Sequence, residues 1–349
     1  MYEYLPWSKK ELSKSLQDYR SGILSILDIE LGGDCNFHCQ YCDSPDRNKE
    51  FHVNFSKIDE VMQEGKIRWI YICGLGEPTF GKNQDILEKL LAMSEKYNIR
   101  CSIFTNLSNI TNRLMEYIDK GILYLLFKMD SMNEDRLFNL YGVKQTHQQI
   151  EKVEEIAKHV IIQEGCTNLA ASIVPTKQNY NEVCQIVEWC KKKNIYPLVA
   201  ELEYAGAGTH SFEQLNLDRE ELSDIKWQIV EKCSENLNVP ICPAMISGIH
   251  INHDGIITVD RETGFSCHWF WLKDPKVKSL ANFNGTGTWK EYSKLVRTYR
   301  ECQTETVRLY LNSSDNEFYV FGGCGGSIKE LLLGHLALHK TKSKQTKEM

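Results

Sequence analysis

The sequence predicts an α/β fold: a partial (β/α)6 barrel of the TIM type, followed by a small cysteine-containing α+β region. Between residues 22 and 205, apolar segments of strand length alternate with amphipathic segments of helix length. This is the pattern of βαβ units that form a parallel sheet. After residue 206 the segments become short and rich in glycine, aromatic residues and cysteine. Three cysteines follow the first predicted strand, and in such barrels the active site lies at the carboxyl ends of the strands.

The individual elements follow from the spacing of apolar residues. Residues 5–20 are predicted to form a helix that lies on the main domain, because Trp7, Leu12 and Leu16 recur at helical spacing. Six strands are predicted at 23–31, 67–73, 101–104, 123–129, 170–174 and 197–204. The helices between them are predicted at 55–63, 85–96, 112–119, 145–158 and 181–193.

The region after residue 206 has a different organisation. We expect a helix at 218–237, a hairpin at 249–259 that turns at Asp254-Gly255, and a closing helix at 328–339. The Asp-Gly pair is a strong signal for a two-residue hairpin turn. The chain is therefore divided into an N-terminal helical extension (1–21), a barrel (22–205), an auxiliary domain (206–339) and a charged, disordered tail (340–349).

Composition narrows the class of protein. A hydrophobic content of 42% and a charged content of 25% are ordinary for a globular protein. The net charge of −6 is spread along the chain and provides no basic patch for nucleic acid. The sequence contains neither a bilayer-spanning apolar stretch nor a signal peptide. We therefore expect a cytoplasmic protein with no nucleic-acid or membrane partner.

The 13 cysteines are unevenly distributed and odd in number, which favours metal binding in a reducing compartment over a disulfide framework. Cys35, Cys39 and Cys42 form a C-x3-C-x2-C triplet. Three thiolates at this spacing can hold an iron–sulfur cluster and leave one coordination site open. Structural zinc sites use two cysteine pairs, or one pair with two histidines, so the triplet favours an iron–sulfur cluster. The alternative is three ordinary core or loop cysteines.

A glycine-containing loop, Cys73 to Thr79, follows the second predicted strand. Gly74 and Gly76 would let the backbone approach a ligand closely. Considered alone, the loop is equally typical of a plain turn between a strand and a helix.

The two motifs together resemble those of the radical S-adenosylmethionine (radical SAM) enzymes. Tyr41 stands directly before the last cysteine, as in the family's C-x3-C-x-aromatic-C signature, and Gly76-Glu77-Pro78 resembles its G-G-E-P motif, with Leu75 interposed. The resemblance implies a [4Fe–4S] cluster on the three cysteines, whose open iron binds the amino and carboxylate groups of S-adenosylmethionine. It also implies one-electron cleavage to a 5′-deoxyadenosyl radical, hydrogen-atom abstraction from a substrate, and a flavodoxin- or ferredoxin-type reductant.

The same resemblance suggests residues that bind the cofactor. The predicted set shares positions at the ends of successive strands: Tyr41, Gly74, Gly76, Glu77, Pro78, Asn106, Asp130, Ser131, Glu201 and Glu203. For the last five, helix caps and solvated edge carboxylates are equally good explanations. Cys166, before the fifth strand, would have to face the barrel mouth to serve as a hydrogen-atom donor, and a buried thiol is the alternative.

The C-terminal cysteines resemble part of a SPASM domain, which carries auxiliary clusters. Cys242, Cys267, Cys302 and Cys324 occur in the family's order, but Asp260 replaces one expected cysteine and Cys302 stands without its usual partner. Four cysteines suffice for one auxiliary [4Fe–4S] cluster, as in the reduced "twitch" form. Because Thr304 and Glu305 follow Cys302, this cluster could have a noncysteine ligand or an open coordination site. Scattered core thiols are the alternative.

The sequence thus predicts an oxidoreductase-type radical SAM enzyme that acts on a small molecule such as a sugar, cyclitol or amino-acid derivative. In relatives the auxiliary cluster accepts the substrate's electron or binds the substrate. Maturation of a ribosomally made peptide by crosslinking, thioether formation or epimerisation is the first alternative. A noncatalytic iron–sulfur electron carrier is the second, and the Gly76-Glu77-Pro78 loop argues against it because a carrier needs no S-adenosylmethionine site.

Overall fold

The computed structural model describes most of the chain, and the described part is built of strands and helices. It covers residues 2–42, 44, 47–72, 74–143, 146–200, 202, 206–233, 239–240, 242–261, 264–266, 277–303 and 319–320. The predicted closing helix at 328–339 and the tail at 340–349 lie outside the described residues. In the described part, no helix is both long and apolar enough to cross a membrane.

The strands and helices have the following bounds. The strands are β1 (Glu3–Tyr4), β2 (Ile26–Ile29), β3 (Trp69–Ile72), β4 (Arg100–Thr105), β5 (Leu123–Lys128), β6 (Ile162–Gln163), β7 (Cys166–Thr167), β8 (Leu169–Ile173), β9 (Tyr196–Val199), β10 (Val239–Pro240), β11 (Gly248–Ile251), β12 (Ile256–Asp260), β13 (Val277–Asn282) and β14 (Tyr319–Val320). The helices are α1 (Lys9–Arg20), α2 (Phe55–Gln63), α3 (Lys82–Tyr97), α4 (Asn112–Asp119), α5 (Glu134–Tyr141), α6 (Thr146–Ile156), α7 (Val183–Lys192), α8 (Gly208–Leu215), α9 (Arg219–Cys233), α10 (Pro243–Ser247) and α11 (Trp289–Gln303).

A nine-stranded sheet organises these elements. Its order is β13-β12-β11-β2-β3-β4-β5-β8-β9, and every pair from β11 to β9 is parallel. The six strands from β2 to β9 are the predicted partial barrel, and this prediction is confirmed. β11, β12 and β13 come from the region after residue 206, yet they extend the same sheet instead of forming one of their own. β11 pairs with β2, and β12 and β13 follow as antiparallel strands.

The two faces of this sheet have different coverings. Tyr71, Ser102 and Tyr124 lie in register on one face, which we call the inner face. The chain's first residues lie against it, because the Tyr4 hydroxyl is 3.0 Å from the Ser102 hydroxyl and Tyr71 donates to the Pro6 carbonyl. On the opposite face, the alternate residues of these strands are buried in the main core under the crossover helices.

The differences from the predicted elements have local causes. Helices α2 and α4 have the predicted bounds. Each is preceded by a capping residue, Asn54 or Thr111, whose side chain accepts a hydrogen bond from a backbone N–H in the first turn. Helices α5, α8, α10 and α11 were not predicted. α5 has only eight residues and begins shortly after the end of β5. A helix this short contains too few apolar residues for its periodicity to be recognised in the sequence. It is nevertheless well defined, because Asn133 caps its start and Gly142 ends it in a left-handed conformation.

Candidate active site at the carboxyl ends of the strands

The three predicted cluster cysteines lie together in a loop that follows β2. We call residues 32–42 the cysteine loop. Cys39 is buried, and Cys35 and Cys42 are half-buried. The Cys42 amide donates to the Cys39 carbonyl at 3.1 Å, and both neighbouring thiols interact electrostatically with Cys39. The three thiols therefore lie near one another in a single loop at the carboxyl edge of the sheet.

The thiols are held in an environment that disfavours a bare thiolate. Burial raises the pKa of Cys39 to about 12, against the opposing effect of the Lys128 ammonium. Burial also raises the pKa of Cys35 above its ordinary value, although a hydrogen bond from the Phe37 amide acts the other way. Bound iron supplies the positive charge that deprotonated thiols need. The donor set therefore fits an iron–sulfur cluster, which takes each thiolate on a different iron atom.

The glycine loop after β3 interlocks with the cysteine loop through the backbone. The Glu77 amide donates to the Asp34 carbonyl at 2.7 Å. Gly76 has a φ of +66°, and a Cβ atom there would lie 2.2 Å from the Gly32 carbonyl oxygen. Only glycine combines this conformation with this approach. The two sequence motifs are thus one structural unit.

Asn83, in the first turn of α3, fastens the two loops. Its side-chain oxygen accepts from the Gly32 amide at 2.9 Å. Its side-chain nitrogen donates to the Gly32 carbonyl at 2.8 Å and also reaches the carbonyls of Asp34 and Glu77. Asn83 was not among the site residues predicted from the sequence. Its position a few residues after Pro78 was the available signal, but an asparagine near a helix start is more often a cap.

Glu77 binds the next loop along the sheet. Its carboxylate accepts hydrogen bonds from the side chains of Thr79 and Thr105 and from the Asn106 amide, the last at 2.6 Å. Burial raises its pKa, although these hydrogen bonds act in the opposite direction. The Asn106 side chain then donates to Asn36 of the cysteine loop at 3.1 Å. Glu77 and Asn106 therefore connect the loops that follow β2, β3 and β4.

Helix α5 supports the cysteine loop from the other side. The carbonyls of Leu140 and Tyr141 accept from the amides of Gln40 and His38, each at 2.9 Å. Gly142 allows this approach, because a Cβ atom there would lie 2.9 Å from the His38 carbonyl oxygen. The C-terminal end of an unpredicted helix is therefore part of the site.

Asp130 fixes the aromatic residue of the cysteine motif. Its carboxylate accepts from the Tyr41 hydroxyl, from the Tyr141 hydroxyl at 2.7 Å and from the Val174 amide at 2.6 Å. Asp130 is fully buried and does not face solvent. Its carboxylate therefore serves to hold the Tyr41 side chain in place. Ser131, its neighbour, is also buried and donates to Glu182.

Lys128 is a charged side chain next to the predicted cluster ligands. Its ammonium nitrogen lies 4.0 Å from the Cys39 sulfur and 4.5 Å from the centre of the Tyr41 ring. The rings of Tyr141 and Phe104 are at 5.7 and 5.9 Å. Lys128 was not among the site residues predicted from the sequence. The signal was a lysine that ends the otherwise apolar strand Leu123–Lys128.

Two buried acid–histidine pairs lie where β2 meets β11. Asp28 and His250 are in register, with 3.3 Å between carboxylate and imidazole. Glu30 accepts from the His253 amide and lies 2.7 Å from its ring nitrogen. All four are almost completely buried. No motif pointed to them, although alternating Asp28 and Glu30 in an apolar strand indicates one polar face.

The structure corrects the suggested position of Cys166. This residue forms β7, where it pairs with Glu3 of β1, and a hydrogen bond joins it to Ser8. It therefore lies at the amino-terminal end of the barrel strands, opposite the cysteine loop. A hydrogen-atom donor would have to face the barrel mouth, and Cys166 does not lie there, because β7 directly precedes the amino-terminal end of β8.

The remaining predicted residues are only partly described. Glu201, Glu203, Cys267 and Cys324 lie outside the described residues. Cys242 is buried just before α10, and Cys302 is exposed near the end of α11. Gly74, which has a φ of +106°, and the buried Pro78 lie in the glycine loop as expected.

Comparison with known proteins identifies the class. The family model that describes the radical SAM superfamily matches residues 29–190 of the sequence. These residues contain the cysteine loop, the glycine loop and Asp130. The chain therefore carries a radical SAM domain. Such domains use a [4Fe–4S] cluster and S-adenosylmethionine, so the predictions of an enzyme of this superfamily and of these two cofactors are confirmed. The auxiliary cluster and the SPASM- or twitch-like domain stay predictions.

Two curated relatives share part of the sequence, and both are GTP 3′,8-cyclases. The protein from Helicobacter pylori (strain ATCC 700392 / 26695) is 24% identical over 230 residues, or 62% of this chain and 68% of the relative. The protein from Tolumonas auensis (strain DSM 9187 / NBRC 110442 / TA 4) is 22% identical over 206 residues. That match covers 57% of this chain and 59% of the relative, less than two thirds of its length.

Solved structures share the fold at low identity. Streptococcus suis SuiB bound to S-adenosylmethionine has a TM-score of 0.59 and 17% identity, over 84% of this chain and 70% of SuiB. SuiB bound to the precursor peptide SuiA has a TM-score of 0.55 and 15% identity, over 88% and 78%. The protein anSMEcpe with bound AdoMet has a TM-score of 0.56 and 15% identity, over 81% and 83%.

Proposed function

We propose that the protein abstracts a hydrogen atom from an organic substrate, with its cluster on Cys35, Cys39 and Cys42 and S-adenosylmethionine bound against the glycine loop. The interlocking of the two loops carries this proposal. The Gly76 contact and the Asn83 hydrogen bonds fix the glycine loop beside the three thiols. When bound and reduced by one electron, the cluster and S-adenosylmethionine supply the hydrogen-abstracting chemistry.

The residues around the thiols have separate proposed roles. Gly74, Gly76 and Pro78 present backbone groups to the methionine end of the cofactor. Glu77 and Asp130 act as positioning residues, because their carboxylates are occupied by neighbouring loops and by Tyr41. Asn106 and Ser131 stay candidate contacts at the ends of β4 and β5, and so do Glu201 and Glu203 beyond β9.

The inner face of the sheet favours a small polar substrate. Among the residues that the structure describes, the Glu30 oxygen Oε1 is buried and has no hydrogen-bond partner. A substrate hydroxyl or amine could donate to it, which removes a cost of about 1–3 kcal/mol for an unsatisfied buried group. Tyr4 and Pro6 cover the inner face nearer the amino ends of the strands. A sugar, cyclitol or amino-acid derivative fits these features.

A peptide is the second candidate substrate. Its support is the shared fold with SuiB, which has been solved with a precursor peptide, and with anSMEcpe, solved with the Cp18Cys peptide. The GTP 3′,8-cyclases, in contrast, are named for a nucleotide.

An auxiliary cluster on Cys242, Cys267, Cys302 and Cys324 belongs to this proposal. Its support is the buried Arg300, which donates to the Ile246 carbonyl at 2.5 Å and to the Gly264 carbonyl at 3.2 Å. These contacts join α10, which follows Cys242, to the segment that leads to Cys267, and Arg300 itself precedes Cys302 by two positions. Such a cluster would accept an electron from the substrate or bind it. A flavodoxin- or ferredoxin-type reductant and a cytoplasmic location complete the proposal.

One experiment tests the core of the proposal. Anaerobically reconstituted protein is mixed with dithionite and S-adenosylmethionine, and 5′-deoxyadenosine is measured. Release by the parent and none by the Cys35→Ala, Cys39→Ala, Cys42→Ala triple variant is the expected result. No release from parent protein that holds about four iron atoms per cluster would contradict the function. Retention of iron in the triple variant is expected if the auxiliary cluster exists, and complete loss of iron argues against that cluster.

The substrate is then found by isotope transfer. Deuterated sugars, cyclitols, amino acids and peptides are each incubated with the active protein, and mass spectrometry follows deuterium into 5′-deoxyadenosine. Transfer from a small molecule supports the first candidate, and transfer from a peptide alone supports the second.

A further inference from the structure

The ammonium group of Lys128 lies beside a predicted cluster ligand and is surrounded by aromatic rings. It lies on the inner face at the end of β5, 4.0 Å from the sulfur of Cys39. Cys39 is the most buried of the three cluster cysteines. A cation at this distance interacts strongly with a thiolate, because little water screens the pair.

The surroundings of Lys128 hold the ammonium in place. The Tyr41 ring lies at 4.5 Å, and the rings of Tyr141 and Phe104 lie further out. Tyr41 and Tyr141 are themselves fixed by their hydroxyl groups on Asp130. The backbone of Lys128 is fixed as well, since the Gln149 side chain donates to its carbonyl at 2.8 Å. Aromatic faces attract a cation.

We propose that Lys128 sets the reduction potential of the cluster on Cys35, Cys39 and Cys42. This inference rests on the proposed function, because it requires that cluster. Reduction by one electron from an external donor adds one negative charge to the cluster. Lys128 stabilises that added charge through an N–H to sulfur contact and through its own positive charge. Contacts of this kind to cluster sulfurs raise reduction potentials.

The test is a potentiometric titration of reconstituted full-length protein, with the reduced cluster followed by electron paramagnetic resonance. Lys128→Met removes the charge and keeps an unbranched side chain, and Lys128→Arg keeps the charge. Lys120→Met is the matched control, because it removes the same charge from an exposed ion pair with Glu95 on the far side of the barrel helices. The Cys35→Ala, Cys39→Ala, Cys42→Ala variant identifies any signal that comes from another cluster.

We expect Lys128→Met to lower the midpoint potential. At a fixed potential the ratio of reduced to oxidised cluster should fall about tenfold, which corresponds to about 59 mV for a one-electron couple. Lys128→Arg should recover most of this difference, and Lys120→Met should match the parent.

Two results would overturn the inference. The first is an unchanged midpoint potential in Lys128→Met, and weakened binding of S-adenosylmethionine in that case would make Lys128 a cofactor ligand instead. The second is loss of iron from both Lys128→Met and Lys128→Arg, which would indicate packing. Loss from the methionine variant alone supports a charge contact. If the parent itself holds no cluster on the triplet, the proposed function fails before this inference is reached.

Discussion

The two ends of the inner face are built by different physical means. At the carboxyl ends of the strands, the loops approach one another closely at the backbone, as at Gly76 and Gly32, and the side chains of Asn83 and Glu77 fasten them. At the amino ends, a network of charged side chains around the buried Glu11 makes the contacts. Glu11 accepts from Trp69 at 2.9 Å and from Arg68 at 2.5 Å, and Arg68 also binds Asp18. A ligand site needs exposed backbone groups and thus glycine, whereas a closed end can be filled with side chains.

This contrast is tested first at the backbone end. Gly76→Ala places a Cβ atom 2.2 Å from the Gly32 oxygen at a φ of +66°. Overpacking and left-handed strain together cost about 3 kcal/mol or more. We expect loss of cluster iron and at least a tenfold loss of S-adenosylmethionine cleavage, measured by iron analysis and 5′-deoxyadenosine release.

Gly65→Ala is the control for that change. Gly65 has nearly the same φ, +69°, but a Cβ atom there meets nothing within 4 Å. It should cost about 1 kcal/mol of stability and leave the iron content unchanged. Equal loss of iron in both variants would show that strain, not the approach of the two loops, is responsible.

The second prediction concerns the buried acid–histidine pairs where β2 meets β11. His253→Leu leaves the Glu30 carboxylate buried without its imidazole partner. We expect the free energy of unfolding to fall by about 3 kcal/mol, measured by denaturant titration. His159→Leu is the matched control, because His159 also lies 2.7 Å from a carboxylate, that of Asp119, but at the surface. It should change stability by less than about 0.5 kcal/mol, and equal losses would contradict a role for burial.

The smallest effect is expected at the amino end, and it depends on pH. Burial acts to raise the pKa of Glu11, but hydrogen bonds from Lys14, Trp69 and Arg68 outweigh it, so the folded-state pKa lies below 4.5. The contribution of the carboxylate is therefore fully present above about pH 4.5 and is lost as the pH falls through the folded-state value.

Thermal unfolding of the parent and of Glu11→Gln measures this effect. The parent should be more stable at neutral pH, and the difference should shrink as the pH is lowered below 4.5. A difference that does not change with pH would assign the stabilisation to packing instead of charge.

The same contrast explains what the sequence could predict. The cysteine triplet and the Gly76-Glu77-Pro78 loop were recognisable because close backbone approaches restrict residue type to glycine and because metal ligands have a fixed spacing. The six barrel strands followed from their apolar runs. Lys128, Asn83 and the pair Glu30–His253 were not recognised, since their roles arise only when distant segments meet. Asp130 was chosen for a position near the cofactor, and its contact with Tyr41 depends on the folded loop.

The pairing of β11 with β2 has a consequence for how the protein is made. Gly248 is the partner of Ile26, so the strand that delivers the cysteine loop has an unpaired edge until most of the chain has left the ribosome. Such pairing is slow to form because of its large sequence separation, and open edges invite association with other chains. A fragment that ends near residue 206 would keep that edge exposed permanently. The strand that carries the cysteine loop is therefore completed only when the segment that contains β11 is present.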